Sequence, residues 1–600
     1  MISATAWIAR GRSARHPKRY DLDDAELERV SRMANVNLED AKAQLQKAQD
    51  DIARGKDPYA TGNGPDEEWQ DDDDDENGDD DNDDNEDDEQ MDTADDDKKP
   101  EDPDDLSKYN LDEYDDDAPV GTAMGAFSNI KGLQFYRSND EDPYITVKDG
   151  ADAEDHDDDR QELEVYPSDN LVLTAKTEDD VSQLEAYVYA ASDSNLYVHH
   201  DLMLPSFPLC LEWLDYTPAP FDADQNGAAP AGTLGSFVAV GTMDPEIEIW
   251  SMDTVEGLYP DAILGRKDQT ADLGLPLGTG KKKKKLTRSR IANAEYHVDA
   301  VLSLSWNPLA RNLLASASAD TTVKLWDLSR PNTGEDSVAL RSFDAHTDKV
   351  QSVAWHAGAP GASACANPAV LLTGSYDKSI RIFDTRTPDV AVSCRIGADV
   401  EAVRWNGWAE NEFMVSMESG LVQAFDARAL PSSTSSLAEQ ANAPALFTLS
   451  AHDTACTSLD ISPHIPGCIL TGGSDKTVKI WNIESSGGST TTAGAGAGAA
   501  GGKSINLVTS RDLGVGKVFS ATFSPDDPMT IAAAGSAGKL QIWNALSNVG
   551  VRKTFGDRLR RLQGQYKVDI DGNEPARGDG VVGVVDDDDD DDDEGEEMQE

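Results

Sequence analysis

The chain has 600 residues, 38% of them hydrophobic, and its 52 basic against 114 acidic side chains leave a formal net charge of −62. Charge of that sign disfavours a whole-surface basic footprint on nucleic acid, so any RNA contact has to be local. The five cysteines include no Cys-x-x-Cys pair, no run approaches the roughly 18–20 consecutive apolar residues of a membrane span, and the first residues lack the apolar centre of a signal peptide.

Residues 1–20 read as a basic N-terminal arm, in which Arg10, Arg12, Arg15, Lys18 and Arg19 suit either RNA phosphates or plain solvation. An amphipathic helix is predicted over 21–55. Asp23 can cap it with Glu26 three positions on, and Leu27, Val30, Ala34, Leu38, Ala41 and Leu45 recur at three or four. That stripe suits docking into a groove of a partner protein, with packing on the chain's own fold as the competing use. Residues 56–125 are expected to be a disordered acidic linker, because 66–117 hold 31 Asp or Glu against three Lys and few apolar residues. The tail 586–600 holds 12 acids and no base and reads the same way.

Between these acidic stretches one phrase returns. "NLLASASADTTVKLWDLS" (312–329), "AVLLTGSYDKSIRIFDTR" (369–386) and "GCILTGGSDKTVKIWNIE" (467–484) each give an apolar strand, a turn carrying Asp, and an alternating strand ending on an aromatic. A further alternating strand precedes each copy, as "AVLSLSWNP", "KVQSVAWHA" and "CTSLDISPH", with a His ahead of it. Weaker copies lie at 236–253, 412–428 and 529–545, and a seventh spans 169–200. The unit is a small antiparallel sheet repeated about every 40–45 residues, the mark of a β-propeller.

The terminal dipeptide, intact at Trp326-Asp327 and degraded at Phe383-Asp384, Trp481-Asn482 and Trp543-Asn544, resembles that of WD40 repeats. The expected fold is therefore all-β, a seven-bladed WD40 propeller over 126–550 with an N-terminal helix and long disordered acidic segments. Loop insertions are expected at about 254–292 and 485–503. In the resembled family an N-terminal strand usually closes the ring, and "ELEVYP" (162–167) is placed to do so.

Three units carry His, Ser or Thr, Asp and an aromatic: His297, Ser316, Asp320 and Trp326; His346, Thr373, Asp377 and Phe383; His452, Thr471, Asp475 and Trp481. A hydrolase would build such a set once, whereas here it recurs in corresponding places, twice with Thr for Ser. A structural network that ties the strands of a blade together explains the recurrence, and the resemblance implies the same. In the second set Phe383 has no N–H to give, so that blade should be less rigid. No phosphate loop, nucleophile elbow or metal-ligand cluster is present, and no enzyme activity, cofactor or metal is expected.

"GKKKKKLTRSR" (280–290) places Lys281, Lys282, Lys283, Lys284, Lys285, Arg288 and Arg290 in a loop and reads as a nuclear-localisation signal. Residues 551–585 read as a basic C-terminal extension for RNA or for packing on the ring. "MISATAWIARG", "YDLDDAELERV" and "NLEDAK", followed by an acidic spacer and WD40 units, are similar to the family of periodic tryptophan protein 1. That resemblance implies a nucleolar scaffold of large (60S) ribosomal subunit precursors, with pre-60S assembly factors and ribosomal proteins as partners and pre-rRNA at the basic segments. A histone-binding role at ribosomal DNA is the alternative.

Overall fold

The computed structural model describes residues 1–20, 26, 163–219, 232–265, 292–330, 337–357, 366–431, 440, 443–485, 503–562 and 580–584. They build seven four-stranded antiparallel sheets and one short parallel pair. The innermost strands are Ile2–Ile8, Pro208–Tyr216, Val301–Trp306, Val350–Trp355, Val400–Trp405, Ser458–Ile461 and Val518–Phe523. Side chains from all seven line one channel of about 830 Å³, so the sheets are blades around a common axis.

Each second strand is buried on both faces. "LLASAS", "VLLTGS", "EFMVSM" and "TIAAAG" alternate nothing, because a neighbouring blade covers either side, and their small residues let the blades approach closely. In six of the seven blades the turn to the third strand holds a left-handed residue. Thr321, Lys378 and Lys476 take it at φ 70°, 62° and 66°, each directly after the Asp of the repeat, whose carboxylate accepts the backbone N–H of Thr322, Ser379 and Thr477. Where that Asp is missing, Gly420 and Gly538 stand at the same place.

Blades are stitched along their inner strands. The N–H of Trp306 donates to Glu212 Oε1 of the preceding blade at 2.9 Å, that of Val403 to Ser352 Oγ at 3.2 Å, and that of Phe523 to Asp460 Oδ2 at 2.8 Å. The indole N–H groups of Trp355 and Trp405 reach back to the carbonyls of Ser305 and Ala354.

Ring closure differs from the expectation. Residues 163–166 carry no strand, and Val165 merely donates its N–H to the Arg15 carbonyl. The missing strand is Ile2–Ile8, paired with Asn170–Glu178 as the innermost of the first blade. Residues 1–20 are thus not a free basic arm: "ISATAWI" buries Ile2 and Ile8 fully, and the Arg-rich part that follows lies along the ring. Thr5 meets Ser520 of the last blade at 2.8 Å, Arg10 pairs with Asp527, and the Arg10 N–H and Asn170 Nδ2 both donate to Asp526. Lys18–Arg19 pairs with Thr254–Val255, and Ala262–Leu264 is the outer strand of the second blade, so part of the expected 254–292 insertion belongs to the sheet framework.

The expected limit at 550 is also corrected. Helix α1, Val549–Leu562, sets Val551, Phe555 and Leu559 into the core of the last blades, and Val581–Gly583 supplies the outer strand of the seventh. The expected helix over 21–55 lies outside the described residues apart from Glu26, as do the acidic linker, residues 486–502 and the acidic tail.

If the N-terminal strand is integral, Ile8→Ala should cost roughly 2–5 kcal/mol in denaturant unfolding, as Ile480→Ala should in the sixth blade. A loss under about 1 kcal/mol at Ile8 alone would show that the first blade stands without that strand.

Candidate functional site

The repeated polar sets are chains of hydrogen bonds running one way. In the third blade Trp326 Nε1 donates to Ser316 Oγ at 2.8 Å, Ser316 lies 2.7 Å from His297 Nε2, and His297 Nδ1 lies 2.9 Å from Asp320 Oδ2. Because the ionised Asp320 can only accept, the neutral imidazole gives it the Nδ1 proton and accepts the Ser316 proton at Nε2, while Ser316 Oγ takes the indole N–H. Burial pushes His297 below its ordinary value. Burial also opposes ionisation of Asp320, but the hydrogen bonds from His297 and Thr322 outweigh it and hold the carboxyl at about 2.

The sixth blade repeats the geometry: Trp481 Nε1 to Thr471 at 2.9 Å, Thr471 to His452 Nε2 at 2.9 Å, and His452 Nδ1 to Asp475 Oδ2 at 2.9 Å. In the fourth blade His346 bridges Thr373 and Asp377 at 2.8 and 3.0 Å, and Phe383 instead stacks on Phe343 with centroids 5.1 Å apart. Ser316, Thr373 and Thr471 are all fully buried. A nucleophile must meet its substrate, and these hydroxyls are sealed under strands and indoles; the arrangement holds turns in place.

The channel is the other concentration of polar groups. Glu212, Arg404 and Asp460 occupy the same inner-strand position in the second, fifth and sixth blades. Burial pushes the Glu212 carboxyl up to about 7, against the Trp306 N–H and the Arg404 charge; Asp460 is raised for the same reason. Both carboxylates are engaged as acceptors of the next blade's backbone, which makes them structural groups of the wall.

One position further along stand Trp7, Trp213, Trp306, Trp355 and Trp405 in five of the seven inner strands, with Ile461 and Phe523 in the other two. Sequence reasoning used the third-strand tryptophans and passed over these, although three of them recur about every 50 residues. The basic groups expected to reach RNA are largely engaged: Arg12 with Asp215, Arg15 with Glu164, Arg19 with Glu256, and Arg558 with Asn482. Lys553, Arg560 and Arg561 stay on the outer side of α1. Residues Lys281 to Arg290 and the stripe Leu27, Val30, Leu38 and Leu45 lie outside the described residues. Among the described residues no group of His, Cys, Asp or Glu is placed to hold a metal, and no helix is long and apolar enough to cross a membrane.

The WD domain, G-beta repeat family matches residues 289–327, 337–384 and 444–482. The chain is 38% identical to an uncharacterized WD repeat-containing protein of Schizosaccharomyces pombe, covering 93% of this chain and 92% of that one. It is 35% identical to periodic tryptophan protein 1 of Saccharomyces cerevisiae over 94% and 92% of the two chains. The periodic tryptophan protein 1 homolog of Drosophila melanogaster is 26% identical over 76% of this chain and 81% of its own length.

Two changes test the roles assigned to these groups. Trp326→Phe, which gives the third blade the chemistry of the fourth, should lower stability by about 1 kcal/mol; no change would remove the indole from the network. Glu212→Gln keeps the acceptor for Trp306 but cannot ionise. Because the folded carboxyl titrates near 7 and the unfolded one near 4.5, wild-type stability is full below 4.5 and falls as pH rises through 7. The variant should therefore exceed wild type in melting temperature at pH 8 and match it near pH 4.5. A gap that is the same at both pH values would refute the assignment.

Proposed function

The chain belongs to the periodic tryptophan protein 1 family, and from that premise we propose that it is a non-catalytic scaffold in nucleolar assembly of the large ribosomal subunit. The observation that carries this reading is the near full-length likeness to that family's yeast member, together with a WD40 ring whose Ser, His and Asp sets are consumed in tying the strands and turn of a single blade together. A ring of this kind offers faces and rims to several proteins at once. Pre-60S assembly factors and ribosomal proteins are the proposed partners, and the basic segments 280–290 and 551–585 are the proposed places for pre-rRNA. Lys281–Lys285 with Arg288 and Arg290 form the proposed import signal.

Purification of the tagged chain after crosslinking, followed by sequencing of the bound RNA, tests the proposal. Precursor RNA of the large subunit is the expected recovery. Recovery of none, or an association that DNase abolishes and RNase leaves intact, would move the chain to chromatin. Replacing all five lysines 281–285 with alanine should shift a fluorescent fusion from nucleus to cytoplasm.

A further inference from the structure

Residues 9–20 leave the innermost strand of the first blade and lie on the ring as a strap. The strand before them is held by packing, with Ile2, Thr5 and Ile8 buried; of residues 9–20 none is. Gly11 stands in left-handed backbone at φ 68°, with open space where a Cβ would be, and beyond it residues 12–20 pass from the first blade to the second. Polar contacts alone hold them there. Ala14 donates its N–H to Asp253 Oδ1 at 2.7 Å, Lys18 and Tyr20 donate to the carbonyls of Asp253 and Val255 at 2.8 and 3.0 Å, and the Arg15 carbonyl accepts from Val165 at 2.9 Å. Arg12 pairs with Asp215, Arg15 with Glu164 and Arg19 with Glu256, and those arginine side chains are 47%, 59% and 63% exposed.

The fit of the strap is incomplete. A cavity of about 130 Å³ is lined by Gly11, Ser13 and Arg15 of the strap and by Val165, Asp169 and Leu171 of the first blade. Ser13 Oγ and His16 Nδ1 are buried without a hydrogen-bond partner. Exposed ion pairs add little and weaken in salt, whereas buried polar atoms left unpaired are costly. With no apolar anchor to offset that cost, the strap can lift while the strand stays. Lifted, residues 12–19 present three arginines and Lys18 within eight positions, and guanidinium groups take phosphate oxygens two at a time. Each of the three guanidinium groups already has an open side, so phosphates can replace the carboxylates one pair at a time.

We propose that residues 12–20 form a releasable strap, hinged at Gly11, which trades the carboxylates of Asp215, Glu164 and Glu256 for the phosphate backbone of RNA. Ile2–Ile8 and Arg10 stay in place and keep the ring closed. The density of cations in the strap, with no large aliphatic side chain among them, decides for a polyanion over an apolar partner. That the RNA is a precursor of the large subunit rests on the function proposed above; the release of the strap does not.

The test locks the strap in the full chain. Lys18 and Thr254 are strand partners, so the double variant Lys18→Cys, Thr254→Cys ties the strap to the second blade on oxidation and frees it on reduction. The probe is a fluorescent single-stranded RNA of about 20 nucleotides, titrated by anisotropy at several salt concentrations. The reduced form should bind it about fivefold or more tighter than the oxidised form. Its slope of log affinity against log salt should be steeper by about 2, since each of the three freed arginines adds about 0.7. Equal affinities and equal slopes would overturn the proposal. In a second variant, Glu164→Gln with Glu256→Gln removes acids that hold the strap and should raise the affinity of the wild-type chain. Asp348→Asn with Glu418→Gln removes the same charge from exposed places on other blades and should raise it less. No difference between the two pairs also overturns the proposal. So does an oligoglutamate that displaces the probe as well as unlabelled RNA of equal charge does, which would give the strap to acidic protein segments. If the lock acts as expected yet crosslinking recovers no large-subunit precursor, the strap stands and the functional reading falls.

Discussion

Everything in this ring depends on what happens to the backbone N–H groups at its centre. An inner strand is hydrogen-bonded to its blade along one edge only, and its other edge faces the channel, where unpaired polar groups are costly if water cannot reach them. The chain answers with side chains from the preceding blade: Glu212 for Trp306, Ser305 for Trp355, Ser352 for Val403, Ser458 for Ala521 and Asp460 for Phe523. Satisfying an edge and ordering two blades are therefore the same event. Apolar packing between blades supplies most of the favourable free energy but has no preferred direction, so these bonds set how one sheet sits against the next.

The same logic explains how a ring can be closed by residues 2–8 when the next strand of their blade begins at 170. Loop-closure entropy grows only with the logarithm of length, each doubling adding about 0.6 kcal/mol, so a long acidic insertion is a mild burden. Burial of Ile2 and Ile8 gives back about 1.5–3 kcal/mol each before hydrogen bonds are considered. The bonds of Arg10 and Asn170 to Asp526 and Asp527 then fasten the first blade to the last. Among the described residues no strand is shared between those two blades, and the seam is closed through side chains such as Asp526, Asp527 and Asn170 together with the Arg10 backbone N–H.

The repeat, its seven copies and the membership of each polar set were legible because their signals are short-range. An Asp turn, a period of two and an aromatic ending all sit within about twenty residues of one another. The strand Ile2–Ile8 was hidden by distance and by company: its partner lies beyond a long acidic stretch, and the arginines after it invite an electrostatic reading. Those arginines are neutralised by Asp215, Glu164 and Glu256, acids that only the fold brings near. Val581–Gly583 was missed for a similar reason, since three residues carry too little pattern to stand out after α1. The inner-strand tryptophans were visible as letters, but their meaning depends on which edge faces the channel, and a sequence does not state that.

A functional consequence follows from where the reactive chemistry has gone. Ser316 has its hydroxyl committed between an indole and an imidazole, Glu212 and Asp460 accept backbone protons, and Cys456 and Cys468 are fully buried, with burial raising both thiols. Every group that could have served as nucleophile or base in these places is already spent on geometry. What remains is surface, with exposed acids at turns such as Glu178, Asp179 and Asp180 of the first blade. A propeller whose interior groups are committed in this way presents its rims and faces to other proteins. The inter-blade bonds to Trp306, Trp355, Val403, Ala521 and Phe523 hold the blades in fixed relation, so any face the ring presents keeps its geometry.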